Sequence, residues 1–246
     1  MLRAIAFFVA GLAVSASALV MPARAGTPLA SVVELFTSQG CSSCPPADMV
    51  LDRLADDGTV LALGWHVDYW DYLGWRDTLG LPDATMRQKA YAMVLDNERR
   101  VYTPQAVING RLGVIGSHAG DIADVLGNGT AGGLVVQPQL TAAGDRLSIA
   151  LPHTALPSPE TALELVYFVQ HADVAIERGE NAGRTVSYRN AVRGIDHLGM
   201  WDGTARVLDV PRMMMDDLHA DGCAVLVRAI TAGGKPGAII GAALLE

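Results

Sequence analysis

The sequence predicts an α/β domain followed by an all-β, sandwich-like C-terminal domain, on three observations. Residues 29–127 alternate strand-like and helix-like runs, the grammar of β-α units. Residues 134–246 read instead as short β-rich runs separated by turn residues. Between them lies Gly127-Asn128-Gly129-Thr130-Ala131-Gly132-Gly133, too rich in glycine for a regular element. The expected division is residues 26–127, a linker at 128–133, and residues 134–246.

In the first part, Ala30 to Phe36 is an apolar, β-branched run suited to a strand buried on both faces. Ala47 to Ala55 places Met49, Val50, Leu51 and Leu54 at near-helical spacing, and Asp57-Gly58 ends it. Val60 to Val67 is a second buried strand, and Asp83 to Arg100 a helix with Met86, Ala90, Met93, Val94 and Asn97 along one side. Asn109-Gly110 supplies the two positive-φ residues of a tight turn between Ala106-Val107-Ile108 and Leu112 to Ile115. Ala119 to Leu126 closes as a helix, giving β-α-β-α-β-β-α. In the second part the strand candidates are Leu134 to Leu140, Arg146 to Leu151, Ala162 to Val169, Arg184 to Val192, Ala205 to Val210 and Cys223 to Ile230.

The N-terminus has a basic Arg3, an apolar run from Ala4 to Met21 and the small-residue site Ala23-Arg24-Ala25, the pattern of a cleaved signal peptide over residues 1–25. A periplasmic or secreted protein is expected, with no membrane attachment after cleavage. The whole chain carries a formal charge of −8, and residues 1–25 hold Arg3 and Arg24 but no acid, so the mature chain carries about −10. That balance argues against nucleic acid or an anionic membrane as partner.

Cys41-Ser42-Ser43-Cys44 is the one close pair among three cysteines, placed after a strand and before a helix. Two intervening residues allow the sulfurs to bond, and helix-start N–H groups favour a thiolate. Cys41 is the expected exposed nucleophile with a depressed pKa, and Cys44 the buried resolving thiol. Pro45-Pro46 suit a helix's first turn, where N–H groups lack partners. Glu34, on the preceding strand, is either a buried acid taking the proton of Cys44 or an acid at an exposed strand edge. Thr103-Pro104 is either a cis pair that brings the Thr103 backbone against the dithiol or a plain trans loop.

The set Val33-Glu34-Leu35-Phe36, Cys41 to Pro45, Thr103-Pro104 and Val107-Ile108-Asn109-Gly110 resembles the thioredoxin superfamily over residues 29 to about 127. More narrowly, the chain is similar to a family of secreted bacterial thioredoxin-like proteins known only as a domain of unknown function. The match rests on Glu34 to Ala47, His66 to Trp75, Tyr102 to Gln105 and Gly179 to Thr185. The resemblance implies a thioredoxin-like first domain and dithiol chemistry at Cys41 and Cys44. One extra residue between Glu34 and Cys41, and a Ser-Ser spacer where thioredoxins carry Gly-Pro, leave its direction open.

Trp70, Trp75 and His66, in a segment crowded with aromatic and acidic residues, either line a substrate groove or pack the end of a strand. Met213-Met214-Met215, His219 and Cys223 are soft ligands that suit Cu(I), though methionines also fill cores. Asn181, Arg184, Asp196, His197, Trp201 and Asp202 sit in polar loops that contact the first domain, a partner or solvent. The expected function is an exported thiol-disulfide oxidoreductase needing no cofactor beyond the Cys41/Cys44 disulfide, acting on a protein or small-molecule thiol or disulfide. The alternative is a non-enzymatic binding module for a periplasmic protein or Cu(I).

Overall fold

A computed structural model of the protein describes residues 28–95, 100–158, 160–231 and 233–245. Residues 1–25, expected to be a signal peptide, and residues 96–99, at the end of the second expected helix, lie outside these. β1 (Ser31–Thr37) leads through the cysteine turn into α1 (Pro45–Ala55), followed by β2 (Val60–His66), α2 (Pro82–Leu95), β3 (Gln105–Ile108), β4 (Leu112–Ile115) and α3 (Ala119–Asn128). The second half holds β5 (Gln139–Ala143), β6 (Arg146–Leu151), β7 (Thr161–Ile176), β8 (Arg184–Met200), β9 (Arg206–Pro211), α4 (Met213–Asp217), β10 (Gly222–Ile230) and β11 (Pro236–Leu244). No helix among the described residues is long and apolar enough to cross a membrane.

The strands assemble in a way that corrects the expected fold class. Eight of them form one mixed sheet in the order β11-β10-β7-β8-β2-β1-β3-β4, and β5-β6-β9 form a second, three-stranded sheet. Strand accounts for 43% of the described residues and helix for 20%, so the molecule is mainly β. It is not a thioredoxin-like α/β domain followed by an all-β sandwich, because β1–β4 and β7, β8, β10 and β11 are parts of the same sheet. One apolar core crosses the seam, with Phe36, Leu63, Trp65 and Tyr91 packed together with Val166, Phe168, Val192, Leu226 and Ile239.

The seam is narrow. β1 and β2 pair in parallel from Ser31↔Val60 to Thr37↔His66, but β2 meets β8 through the single parallel pair Gly64↔Ala191. A Cβ on Gly64 would lie 3.2 Å from the Arg189 carbonyl oxygen and 3.4 Å from Leu51 Cδ2, so the glycine lets β8 and α1 approach closely without crowding. Asn190, in the left-handed region at φ 44°, turns its side chain to donate to the Ala62 carbonyl at 2.8 Å, adding a side-chain rung beside the lone backbone pair. Asn190→Ala is expected to lose about 2 kcal/mol, from the lost hydrogen bond and the positive φ together, and Asn190→Gly about 1 kcal/mol, from the bond alone. Equal urea-unfolding free energies for the two variants would contradict this division.

A buried ionic cluster fastens the same seam. Glu34 of β1 and Glu164 of β7 share Arg87 of α2, whose Nε lies 2.6 Å from Glu34 Oε1 and whose Nη2 lies 3.0 Å from Glu164 Oε2. Arg228 of β10 reaches Glu164 at 3.1 Å and Glu34 at 3.5 Å, and donates to the Tyr91 hydroxyl at 2.6 Å. Tyr91 in turn bonds Glu34, and Arg87 stacks 4.6 Å from the Trp65 ring centre. Two carboxylates and two guanidiniums balance, as charges removed from water require. Burial, with the Glu34 charge, raises the Tyr91 phenol well above its usual value, so it stays a neutral donor.

Candidate functional site

The cysteine turn lies between β1, where the apolar run of the strand ends, and the prolines that start α1. Cys41 and Cys44 form a disulfide with Cα atoms 5.4 Å apart. Cys44 is the N-cap of α1, with Pro45 and Pro46 in the first turn as expected, so Cys41 precedes the helix rather than sitting inside it. Cys44 accepts from the N–H groups of Ala47 (2.8 Å) and Asp48 (3.1 Å), while Ser43 Oγ lies 3.4 Å from Cys41 Sγ. Ser42 and Ser43 are exposed. Cys41, however, is only 2% exposed, so the expected accessible nucleophile is covered in this disulfide state.

Three other segments converge on the turn. The Thr103-Pro104 bond is cis. A Cβ built on Gly116 would stand 3.3 Å from both Ala47 Cβ and Pro104 Cβ, which puts Pro104 beside the first turn of α1. Trp70 Nε1 donates to Thr103 Oγ1 at 2.8 Å, and the Trp70 Cβ would lie 3.1 Å from a Cβ on Gly40, so this indole joins the Thr103-Pro104 loop to the residue before Cys41. Trp75 Nε1 donates to Gln39 Oε1 at 2.8 Å. Trp70 and Trp75 are thus half-buried flanks of the cysteine turn.

The third segment comes from the far half of the chain. Asn181, 1% exposed, donates from Nδ2 to the carbonyls of Gln39 and Cys41, each at 2.9 Å, and its Oδ1 accepts from Arg184 at 3.2 Å. The neighbouring Glu180 carboxylate accepts from the Ser42 N–H at 3.3 Å. Of the other polar residues singled out in that half, Asp196 accepts from Tyr167 and Trp201 donates to the Thr204 carbonyl, neither bonding the Cys41–Cys44 turn.

Behind the turn lies a buried acid-base cluster. Asp48, 4% exposed, is four residues after Cys44 on α1, where side chains stack one turn apart. Its Oδ1 accepts from Thr37 Oγ1 at 2.7 Å, and its Oδ2 has no hydrogen-bond partner. His66, at the end of β2, is fully buried and so lines no surface groove. Its Nδ1 lies 2.9 Å from Asp77 Oδ2, and its Nε2 has no partner. Asp77 also accepts from the Gln39 N–H at 2.8 Å, which connects the cluster to the cysteine turn.

Burial pushes the Asp48 carboxyl up to about 7, with the His66 charge and the Thr37 hydrogen bond pulling the other way. Burial disfavours a charged His66, but the charge and hydrogen bond of Asp77, together with Asp48, outweigh it and raise the imidazole. Burial works against a charged Asp77 as well, and His66 and the Gln39 and Leu79 N–H groups outweigh that and hold it low. Tyr188, its ring centre 4.6 Å from that of His66, is kept protonated by burial. Asp48 and His66 sense each other's charge, each favouring the other's ionised form.

Glu34, by contrast, sits in the ionic cluster of the seam, its oxygens taken by Arg87, Arg228 and Tyr91. Asp48 carried no weight in the sequence reading, although an acid four residues after Cys44 among Ala47, Val50 and Leu51 was a visible signal. The soft-ligand residues divide. Met213 and His219 are exposed, whereas Met215 and Cys223 belong to the second core, where burial pushes the Cys223 thiol up to about 12. Among the described residues no three His, Cys, Asp or Glu side chains are grouped to hold a metal.

Two solved structures are similar to this chain. The X-ray structure of a protein from Agrobacterium tumefaciens is 37% identical, with a TM-score of 0.80 over 90% of this chain and 96% of that one. HBP35 of Porphyromonas gingivalis is 14% identical, with a TM-score of 0.58 over 89% of this chain and 76% of that one, a likeness of fold alone. No protein of curated function matches. Residues 32–228, from β1 through the cysteine turn, the Asn181 loop and Arg228 of the seam, match the family described as "Protein of unknown function (DUF1223)", and the chain belongs to that family.

Proposed function

We propose that the protein is an exported thiol-disulfide oxidoreductase. The observation that carries this reading is the Cys41–Cys44 disulfide backed by a buried, half-satisfied carboxyl at Asp48. The resemblance of the Cys41–Cys44 and Thr103-Pro104 pair to thioredoxin-superfamily dithiol sites supports it.

In the reduced protein the Cys41 thiolate attacks a substrate disulfide, forming a mixed disulfide and releasing one substrate sulfur as thiolate. The Asp48 carboxylate takes the proton of Cys44, and the Cys44 thiolate attacks Cys41 Sγ. The Cys41–substrate bond breaks, its electron pair leaves on the second substrate sulfur, and the cysteine pair is oxidised. The reverse sequence oxidises a substrate dithiol. Cys44→Ser removes the resolving step, so a Cys41-linked mixed disulfide should accumulate in periplasmic extracts and disappear under reductant. Extracts without such adducts would count against oxidoreductase chemistry.

The burial of Cys41 favours a second reading, a binding module with a static disulfide. Under it, Cys41→Ser retains partner binding and Cys44→Ser traps nothing.

A further inference from the structure

The turn between β7 and β8 bears on how Cys41 is reached. β7 and β8 pair as far as Ile176↔Arg184, and beyond that pair the turn reaches the cysteine segment through Glu180 and Asn181. Asn181 sits at the centre of the turn and binds the two carbonyls on either side of Gly40. Arg184 holds the other end of its carboxamide, which fixes the amide protons toward the cysteine turn. Glu180 adds a contact to the Ser42 N–H. On the flank, a Cβ on Gly179 would come within 3.1 Å of Trp75 Cβ, so the turn lies close against that indole.

The covering segment is built to move as well as to cover. Gly179 and Gly183 bracket Asn181 at φ 79° and 80°, and Gly183 has open space around it, so its glycine serves the backbone rather than packing. Residues 178, 180 and 182–184 are exposed. None of residues 177–183 belongs to an apolar core, so lifting the turn breaks polar contacts without opening one.

We propose that residues 177–183 are a strap that must lift before a thiol or disulfide reaches Cys41, and that Asn181 is its latch. The proposal rests on the oxidoreductase reading. With the strap raised, an external thiolate attacks Cys41 Sγ, and the Sγ–Sγ bond breaks with its electron pair on Cys44, which takes the proton held by Asp48. A second thiol of the same reductant then attacks the mixed disulfide, so the reductant leaves as a disulfide and both cysteines are reduced. Asn181 is a positioning residue here and touches no reacting atom.

The test is the rate at which dithiothreitol reduces the disulfide of the full mature protein, followed by quenching and mass-tag alkylation. Two hydrogen bonds of ordinary strength correspond to about tenfold or more in the opening equilibrium, so Asn181→Ala should be reduced about tenfold faster than the wild type. The rate should be nearly independent of sub-denaturing urea, because lifting a turn exposes little surface, whereas reduction through global unfolding rises with the full m-value. Arg184→Ala, a change at an exposed side chain that frees the carboxamide, should give about a threefold increase, as expected for loss of one exposed contact. It decides the matter if Asn181→Ala does not fold. Unchanged rates, or rates that rise with urea by the full m-value of unfolding, would overturn the strap. Failure of Cys44→Ser to trap substrates overturns the oxidoreductase reading while these reduction rates still stand, and the two failures are thereby told apart.

Discussion

Replacing Arg228 by Met will cost the protein about 3–5 kcal/mol of folding stability, because one guanidinium is then left to balance two buried carboxylates. Arg228 is fully buried and contacts Glu164, Glu34, Tyr91 and the Gly237 carbonyl. Methionine fills much of the volume, so the loss is electrostatic rather than a cavity. Adding Glu164→Gln to Arg228→Met removes the unpaired charge and should restore part of the loss. Urea unfolding of both variants checks this. A single-variant loss under about 1 kcal/mol, the size expected of an exposed pair, would show that the cluster is solvated.

Asp48→Asn is expected to make the protein more stable than the wild type by a margin that grows with pH. The folded protein holds the Asp48 proton up to about pH 7, whereas the unfolded chain releases it near 3.8, the ordinary aspartate value. Between those values the folded state binds more protons, so this contribution is complete below the unfolded value and is lost as pH rises through the folded one. The gap corresponds to a loss on the order of 4 kcal/mol across that window. The raised His66 extends the fall in the same direction, while Asp77, held low, supplies stability that disappears only in acid. The amide has no such slope. Oxidised Asp48→Asn should therefore match the wild type below about pH 4 and exceed it by a few kcal/mol at pH 8, while resolution of the mixed disulfide by Cys44 slows by about a hundredfold. Parallel stability curves would remove Asp48 from the redox chemistry, and so would an unchanged resolving rate.

The local elements were legible because their signals are local. The apolar run at β1, the Asn109-Gly110 turn and the prolines at α1 each state their own conformation, and the structure has elements at those places. The assembly was not legible. The seam depends on Gly64 meeting Ala191 and on Arg228 reaching Glu34, pairings across more than a hundred residues that leave no mark in periodicity. The glycine-dense stretch at 127–133 reported a turn and nothing about which strands share a sheet. β11 was passed over because its run of Ala, Gly and Ile lacks alternation, as a strand covered on both faces does. At the site, the cysteines and Thr103-Pro104 were readable from spacing, whereas the bond from Asn181 to the Cys41 carbonyl comes from a loop 140 residues away.

The β7–β8 hairpin also works as a gauge of length. Its rungs run from Ala162↔Met200 to Ile176↔Arg184, and Asn181 is carried at the end. Each strand residue advances the chain by about 3.3 Å, more than the tolerance of a hydrogen bond. Deleting one rung would draw Asn181 away from both carbonyls and turn the remaining side chains to the opposite face. The count of residues between the second core and the cysteine turn is thus as constrained as the identity of Asn181, so insertions tolerated elsewhere on the surface should be excluded from both strands.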